Sequence, residues 1–352
     1  MINRHFSILF FLISLMGLSA HGQVGGQRSY EFLNIPDNAL LTGLGGVNVS
    51  HADRDVNLFL SNPGLVGQDL SGHLSINYLS YFANTSITSV AYTHDFAKWG
   101  TWTFGAKHLD LGEIEGFDPL GNALGRVNSG ETVLYLGRSH QVGAFRVGAN
   151  LKFLFSNIAD FRSSAVAADL GGVFIHPEKE LKVGLAIKNI GFALSEFTET
   201  SDTELPFDVQ LGVTFKPQYM PFRFSVTAYN LSRGDITFFN PAPEDPDDLA
   251  EEPGTVDKIF RRFVIGTELI LSKNFNVRLG YNHLIRRELR LEETSGGAGF
   301  SYGFGLRIKA FEFSFARGGY HVAGGSNNFT LTSNLNRLIK KKTVDGAGNA
   351  AL

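Results

Sequence analysis

From Leu74 onward, apolar residues recur at every second position, the period of a β-strand rather than a helix. Phe145, Val147, Ala149, Leu151, Phe153 and Phe155 alternate with Arg146, Gly148, Asn150, Lys152 and Ser156, with Leu154 the one exception. Phe207, Val209, Leu211, Val213 and Phe215 alternate with Asp208, Gln210, Gly212, Thr214 and Lys216. Phe300, Tyr302, Phe304, Leu306 and Ile308 stand opposite Ser301, Gly303, Gly305, Arg307 and Lys309. Successive side chains of a strand point to opposite faces, so one face of each run is apolar and the other solvated. About fourteen such runs occur, most near or above the roughly 9–11 residues that cross a bilayer obliquely. They cover 74–82, 85–96, 100–109, 131–141, 144–156, 162–176 and 180–193. The remainder are 206–216, 221–233, 259–272, 274–288, 297–309, 310–321 and 327–335. An even count suits a single-chain outer-membrane barrel.

The connections sort by parity. Those after even-numbered runs are short: Ala97–Trp99, Pro177–Lys179, Pro217–Met220 and Lys273. Those after odd-numbered runs are often long: Asp110–Gly130, Leu194–Leu205, Gly234–Lys258 and Leu289–Gly296. Short periplasmic turns opposite long outer loops are the outer-membrane pattern, and a soluble β-sandwich has no reason to sort its loops this way. Trp99, Trp102, Phe155, Phe174, Phe192, Phe207, Phe222 and Phe275 fall towards run ends, where interfacial aromatic girdles sit. Only 18% of residues are charged, against about 25% in a soluble domain. The net charge of −3 gives no basis for nucleic-acid binding. The expected fold is an all-β, transmembrane antiparallel β-barrel of about 14 strands with an N-terminal luminal plug.

Residues 1–22 read as a secretory signal peptide: Arg4, an apolar core from Phe6 to Leu18, and Ala20-His21-Gly22 as the cleavage site. Gln23 is then the mature N-terminus. Residues 23–70 form the expected plug segment, 71–335 the barrel and 336–352 a periplasmic tail. The plug motif is Gly43, Gly45 and Gly46, then Asp53 and Asp55, then Asn62-Pro63. Glycines this dense allow close packing or φ > 0, and Pro63 denies the segment a central-strand role. Loop parity puts both barrel termini on the periplasmic rim, where this segment folds back into the lumen. The absence of cysteine excludes disulfides, Cys-based metal sites and a lipidated N-terminal cysteine.

Nothing in the chain reads as a catalytic centre, a cofactor site or a metal site. Gly299–Gly303 fits GxSxG around Ser301, but it lies inside an alternating run with no helix after it, where no nucleophile elbow forms. His51, His73, His94, His108, His140, His176, His283 and His321 stand singly, without metal-ligand spacing. His108 and His283 fall on strand runs that could present them to a lumen. The acidic stretch Glu244–Glu252 has carboxylates that suit calcium, without EF-hand spacing, and reads as a solvated outer loop. Asp53 and Asp55 read as turn caps before cation ligands.

The run Gly43-Leu44-Gly45-Gly46, Asp53, Asp55 and Asn62-Pro63 resembles the N-terminal hatch of FadL-like outer-membrane barrels, with Gly64 in place of the usual Ala. Tyr30–Pro36 ahead of Leu44–Ser50, Ala167–Gly171, His176–Lys179, Leu185–Gly191, Pro221–Ser225 and Asn230-Leu231 are similar to one branch, the PorQ-like barrels of type IX secretion. That resemblance implies a non-enzymatic barrel of a cell-surface attachment complex. Its implied partners are a surface protein anchored through the outer loops, a sortase, a related shuttle barrel and outer-membrane lipid. The complex fixes cargo to lipopolysaccharide. Asp110–Gly130 and Gly234–Lys258 are the candidate partner-binding loops. The alternative is a FadL-like transporter of hydrophobic small molecules. Gly64 and the inward charges Arg146, Lys152, Asp208, Lys216, Arg307 and Lys309 count against it and favour a structural stopper.

Overall fold

A computed structural model describes residues 28–338, apart from 83–84, 118–122, 199–200, 202, 238–252, 290–295 and 322–323. The signal peptide, the acidic stretch and most of the tail lie outside the described residues. The barrel strands are β1 (His73–Ser80), β2 (Ser86–Phe96), β3 (Gly100–Phe117), β4 (Ala123–Val142), β5 (Phe145–Ile158), β6 (Phe161–Ile175) and β7 (Leu181–Ser195). They continue as β8 (Asp208–Phe215), β9 (Phe222–Ala228), β10 (Phe263–Ile270), β11 (Phe275–Asn282), β12 (Phe300–Ile308), β13 (Phe311–His321) and β14 (Gly324–Asn334). Each pairs antiparallel with the next, and β1 closes on β14 from His73↔Asn334 to Ser80↔Asn327.

The alternation follows from two different solvents. On β5, Phe145, Val147, Leu151, Phe153 and Phe155 face outward and are exposed, while Asn150, Lys152, Leu154 and Ser156 are buried towards the lumen. Leu154, the exception in the pattern, joins an inward apolar cluster with Tyr30, Phe32 and Phe59. Outside, Phe304 packs against Phe275, Phe313 and Phe315, with ring centroids 5.9–6.3 Å apart. A closed barrel leaves no backbone group unpaired at its edges, and only such a sheet tolerates an apolar exterior in lipid. The protein is an outer-membrane β-barrel.

Three boundaries differ from the sequence pattern. Asp110–Gly130 is not a long loop: β3 runs to Phe117 and β4 starts at Ala123, with pairs such as Glu113↔Asn128 and Glu115↔Arg126. The strands are 18 and 20 residues long, about twice what a bilayer requires. Beyond the membrane both faces of a hairpin meet water, so the apolar alternation that marks a strand disappears. β9 ends at Ala228, and Thr255–Phe260 is helical before β10 begins. β11 ends at Asn282, where the Asn282 side chain accepts from Ile285 N and starts the helix His283–Glu288. An N-cap of this kind ends a strand without any change in hydrophobicity.

Residues 28–70 lie against the inward faces of the strands. Arg28 bridges to Glu204 at the loop rim, and the chain reaches His73 at the turn rim. Along the way it forms the helix Ala39–Gly43 and short 3-10 turns, capped by the side chains of Asn38, Asp55 and Asn62.

Candidate functional site: the luminal segment and its cavity

The plug-motif residues do different jobs. Gly45 (φ 96°) and Gly46 (φ 94°) end the Ala39–Gly43 helix, with Gly46 N donating to Leu41 O at 2.8 Å. A side chain on Gly45 would sit 2.5 Å from Val264 Cγ1, so this turn requires glycine twice over. Gly43 is buried in the last turn of that helix, with Arg278 Cβ 3.2 Å from where its own Cβ would be. Asp55 caps the next turn through Asn57 N at 2.9 Å. Asn62 Nδ2 reaches Val49 O at 2.8 Å and Gly172 O at 3.1 Å, while its Oδ1 accepts from Gly64 N at 2.9 Å. Pro63 begins the Pro63–Leu65 turn beneath Asn62. From the barrel side Gly184 admits the segment: a Cβ there would lie 1.9 Å from Val49 O.

Asp53 is not chiefly a turn cap. It joins an ionic network that no sequence motif announces. Glu268 on β10 is directly opposite Arg223 on β9 and Arg278 on β11. Arg223 Nη1 lies 2.6 Å from Glu268 Oε2 and 3.0 Å from Asp53 Oδ2, and Arg278 Nε lies 3.1 Å from Glu268 Oε1. His51 Nε2 is 3.8 Å from Asp53, 4.0 Å from Glu268 and 3.4 Å from Arg223 Nη1. His51, Asp53 and Glu268 converge as three metal ligands would, yet the Arg223 guanidinium already supplies the positive charge among them. Register brings these groups together, so the signal in the sequence exists only once strand pairing is known.

Other inward charges are paired as well. Lys152 Nζ lies 2.6 Å from Asp169 and 2.6 Å from Asn189 Oδ1, and Arg307 binds Glu312 at 2.6 Å. Asn189 takes φ 60° at a β-bulge, and its Nδ2 donates to Pro206 O at 2.7 Å. The remaining singled-out residues belong elsewhere. His108 is exposed on the outer face of β3, and His283 starts a helix with Nε2 3.0 Å from Asp257. Ser301 is buried within β12, with no hydrogen bond to its hydroxyl among the described residues.

Between this network and the loop rim lies a cavity of about 340 Å³. Its apolar wall includes Leu33, Ile35, Leu41 and Val47, four tyrosines (Tyr81, Tyr135, Tyr229 and Tyr320) project into it, and Lys107, Lys188, Asp37 and Asp208 add charge. Exposed Glu31 and Asn34 stand at its mouth. The sequence reading missed Lys107 and Lys188, since a lysine on a polar strand face looks like any solvated lysine.

No family model matches the chain, and none of the curated proteins matches it. Among solved structures, the TodX monoaromatic hydrocarbon channel (deltaS2 mutant) is similar over 85% of this chain and 97% of its own, at 12% identity and a TM-score of 0.49. The KdgM porin in complex with disordered oligogalacturonate covers 74% of this chain and 98% of its own, at 7% identity and 0.34. Omp33 of Acinetobacter baumannii covers 74% and 95%, at 8% identity and 0.33. At such values the likeness is one of barrel architecture and goes no further.

Two outcomes test the network. Glu268→Gln takes from Arg278, 2% exposed, its ion-pair partner, and should destabilise the protein by about 3–5 kcal/mol in denaturant titration. The second outcome concerns pH. Burial first, and Arg223 second, push His51 down to about 4. The unfolded imidazole protonates near 6.5, so its contribution is whole above that pH and is lost as pH falls towards 4. Asp55 acts oppositely: desolvation lifts it to about 6, so its contribution is whole at acid pH and is lost as pH rises through 6. Between pH 6.5 and 4.5 the two effects oppose each other, so protease cleavage within residues 48–66 should change little, while falling with pH in His51→Gln and rising as pH falls in Asp55→Asn.

Proposed function

We propose that the protein is a FadL-like outer-membrane barrel that takes a small, largely apolar molecule into its lumen from the loop side. The cavity at the loop rim carries this reading. At about 340 Å³ it falls within the roughly 300–1,000 Å³ of small-molecule sites. It combines an apolar wall and tyrosine rings with a few polar groups, the usual composition of such sites. Of the inward charges that counted against a hydrophobic route, four have acidic partners: Arg146 lies against Asp69, Lys152 against Asp169, Lys216 against Glu180 and Arg307 against Glu312. Passage beyond the cavity requires residues 43–66 to move, which makes the ionic network a latch. The proposed role is non-enzymatic.

Uptake of at least one of a labelled fatty acid and a labelled apolar dipeptide should depend on the protein and fall severalfold in Val47→Trp, which fills the cavity. The folded barrel should persist, seen as heat-modifiable migration on gels. Uptake unchanged by deleting the gene removes this reading.

A second reading is favoured by one observation: below the cavity the segment packs tightly, with Val49 O against Gly184 and Asn62 bound on several sides, as suits a stopper better than a gate. In that reading the barrel is the PorQ-like anchor of a type IX attachment complex. It would hold a surface protein through the β3–β4 hairpin and the β9–β10 connection, beside a sortase and a shuttle barrel. Deleting the gene should then release attached cargo into the medium while export continues; retained cargo rules it out.

A further inference from the structure

We infer that the cavity at the loop rim is a site for a small zwitterion with an apolar body, such as an apolar amino acid or dipeptide. This rests on the luminal-site reading above and adds the charge pattern of its occupant.

Lys188 is 9% exposed and lines the cavity. It makes no hydrogen bond or ion pair with any described residue. It also stands within electrostatic reach of two further lysines, Lys107 and Lys152. Asp169 neutralises Lys152, whereas the Lys107 ammonium bonds the Ile35 carbonyl at 2.7 Å with Asp37 nearby. The Lys188 side chain is thus buried along the wall without an ion-pair partner, and the cavity it lines is where an anion can reach its ammonium.

Asp208 is directly opposite Lys188 in the β7–β8 register, at the last pair before the two strands part. It is 2% exposed and lines the same cavity. Its Oδ2 accepts from Gln210 at 2.7 Å, but its Oδ1 has no partner among the described residues. No ion pair joins Lys188 to Asp208. One wall therefore presents a cation and an anion side by side, each with unused capacity.

That pairing discriminates among ligands. A hydrocarbon satisfies neither group. A simple carboxylate meets Lys188 but is repelled by Asp208, whose Oδ1 stays unpaired. A zwitterion answers both, carboxylate to Lys188 and ammonium to Asp208, while its apolar body meets Leu33, Ile35 and the tyrosine rings. A site whose buried polar groups require particular partners rejects analogues that lack them.

The test is isothermal titration of the full barrel in detergent micelles with leucyl-leucine, its N-acetyl derivative, its C-terminal amide, and octanoate. Leucyl-leucine should bind, and blocking either end should weaken it about tenfold or more. Lys188→Gln should erase the preference over the amide, and Asp208→Asn the preference over the N-acetyl form. Variant barrels are checked for heat-modifiable migration so that misfolding is not read as lost affinity. Octanoate binding that Val47→Trp abolishes, without preference for the zwitterion, overturns the inference and leaves the luminal site standing. No binding of any probe overturns both.

Discussion

The structure depends on the pairing of β1 with β14. In hydrocarbon no water is available to an unpaired N–H or C=O, so a sheet survives there only when its last strand returns to its first. The closing ladder runs over eight residue pairs, His73↔Asn334 to Ser80↔Asn327. Inside the seam, Thr332 donates to Ser75 at 3.0 Å and Thr330 to Asn77 at 2.7 Å. Asn57 of the luminal segment inserts between them, donating to Ser75 and accepting from Asn77, each at 2.8 Å. The segment thus backs the seam that lets the barrel exist in lipid.

Closure creates a second requirement. A barrel of this size encloses polar side chains that must find water or one another. The lower lumen meets this with protein: Asn62 ties Val49 O of the segment to Gly172 O of the wall, and Glu268 with Asp53 balances two arginines. Buried ion pairs add little net stability over apolar packing, but removing one partner is severe. Such a network therefore specifies position more than it stabilises. It fixes where residues 48–57 must lie.

The barrel was legible in the sequence because lipid outside and polar lumen inside impose opposite demands at alternate residues, as along Phe145–Ser156. The pattern failed where that contrast ended. Over Asp110–Gly130 the sequence carries no such alternation although β3 and β4 stay paired there, so these strands read as a loop. At Asn282 a single capping side chain diverted the chain into a helix. Of the site, the turn-forming glycines and the Asn62-Pro63 pair stood out because their roles are local. The partners of Glu268 did not, since Arg223 and Arg278 meet it only through the register of three strands. Lys188 was hidden for another reason: what sets it apart is a missing partner, and an absence leaves no trace in residue type.

The two halves of the lumen therefore treat charge differently, and the contrast separates scaffold from site. Towards the turn rim, Arg223, Arg278, Glu268 and Asp53 saturate one another, and even the potential cation position among His51, Asp53 and Glu268 is held by a guanidinium. Towards the loop rim, Lys188 and Asp208 stand opposite each other across one ladder rung, Lys188 without an ion pair and Asp208 with its Oδ1 unpaired. A fold can carry such a deficit only where other interactions hold the backbone in place. Here that support is local: Asn189, the next residue, binds Lys152 and Pro206 and takes its backbone N–H to Asp169 at 2.8 Å. The bulge around Asn189 is the device that keeps two uncompensated groups side by side. Local rules broken within a rigid frame are where function concentrates, and in this barrel that place is the wall between β7 and β8.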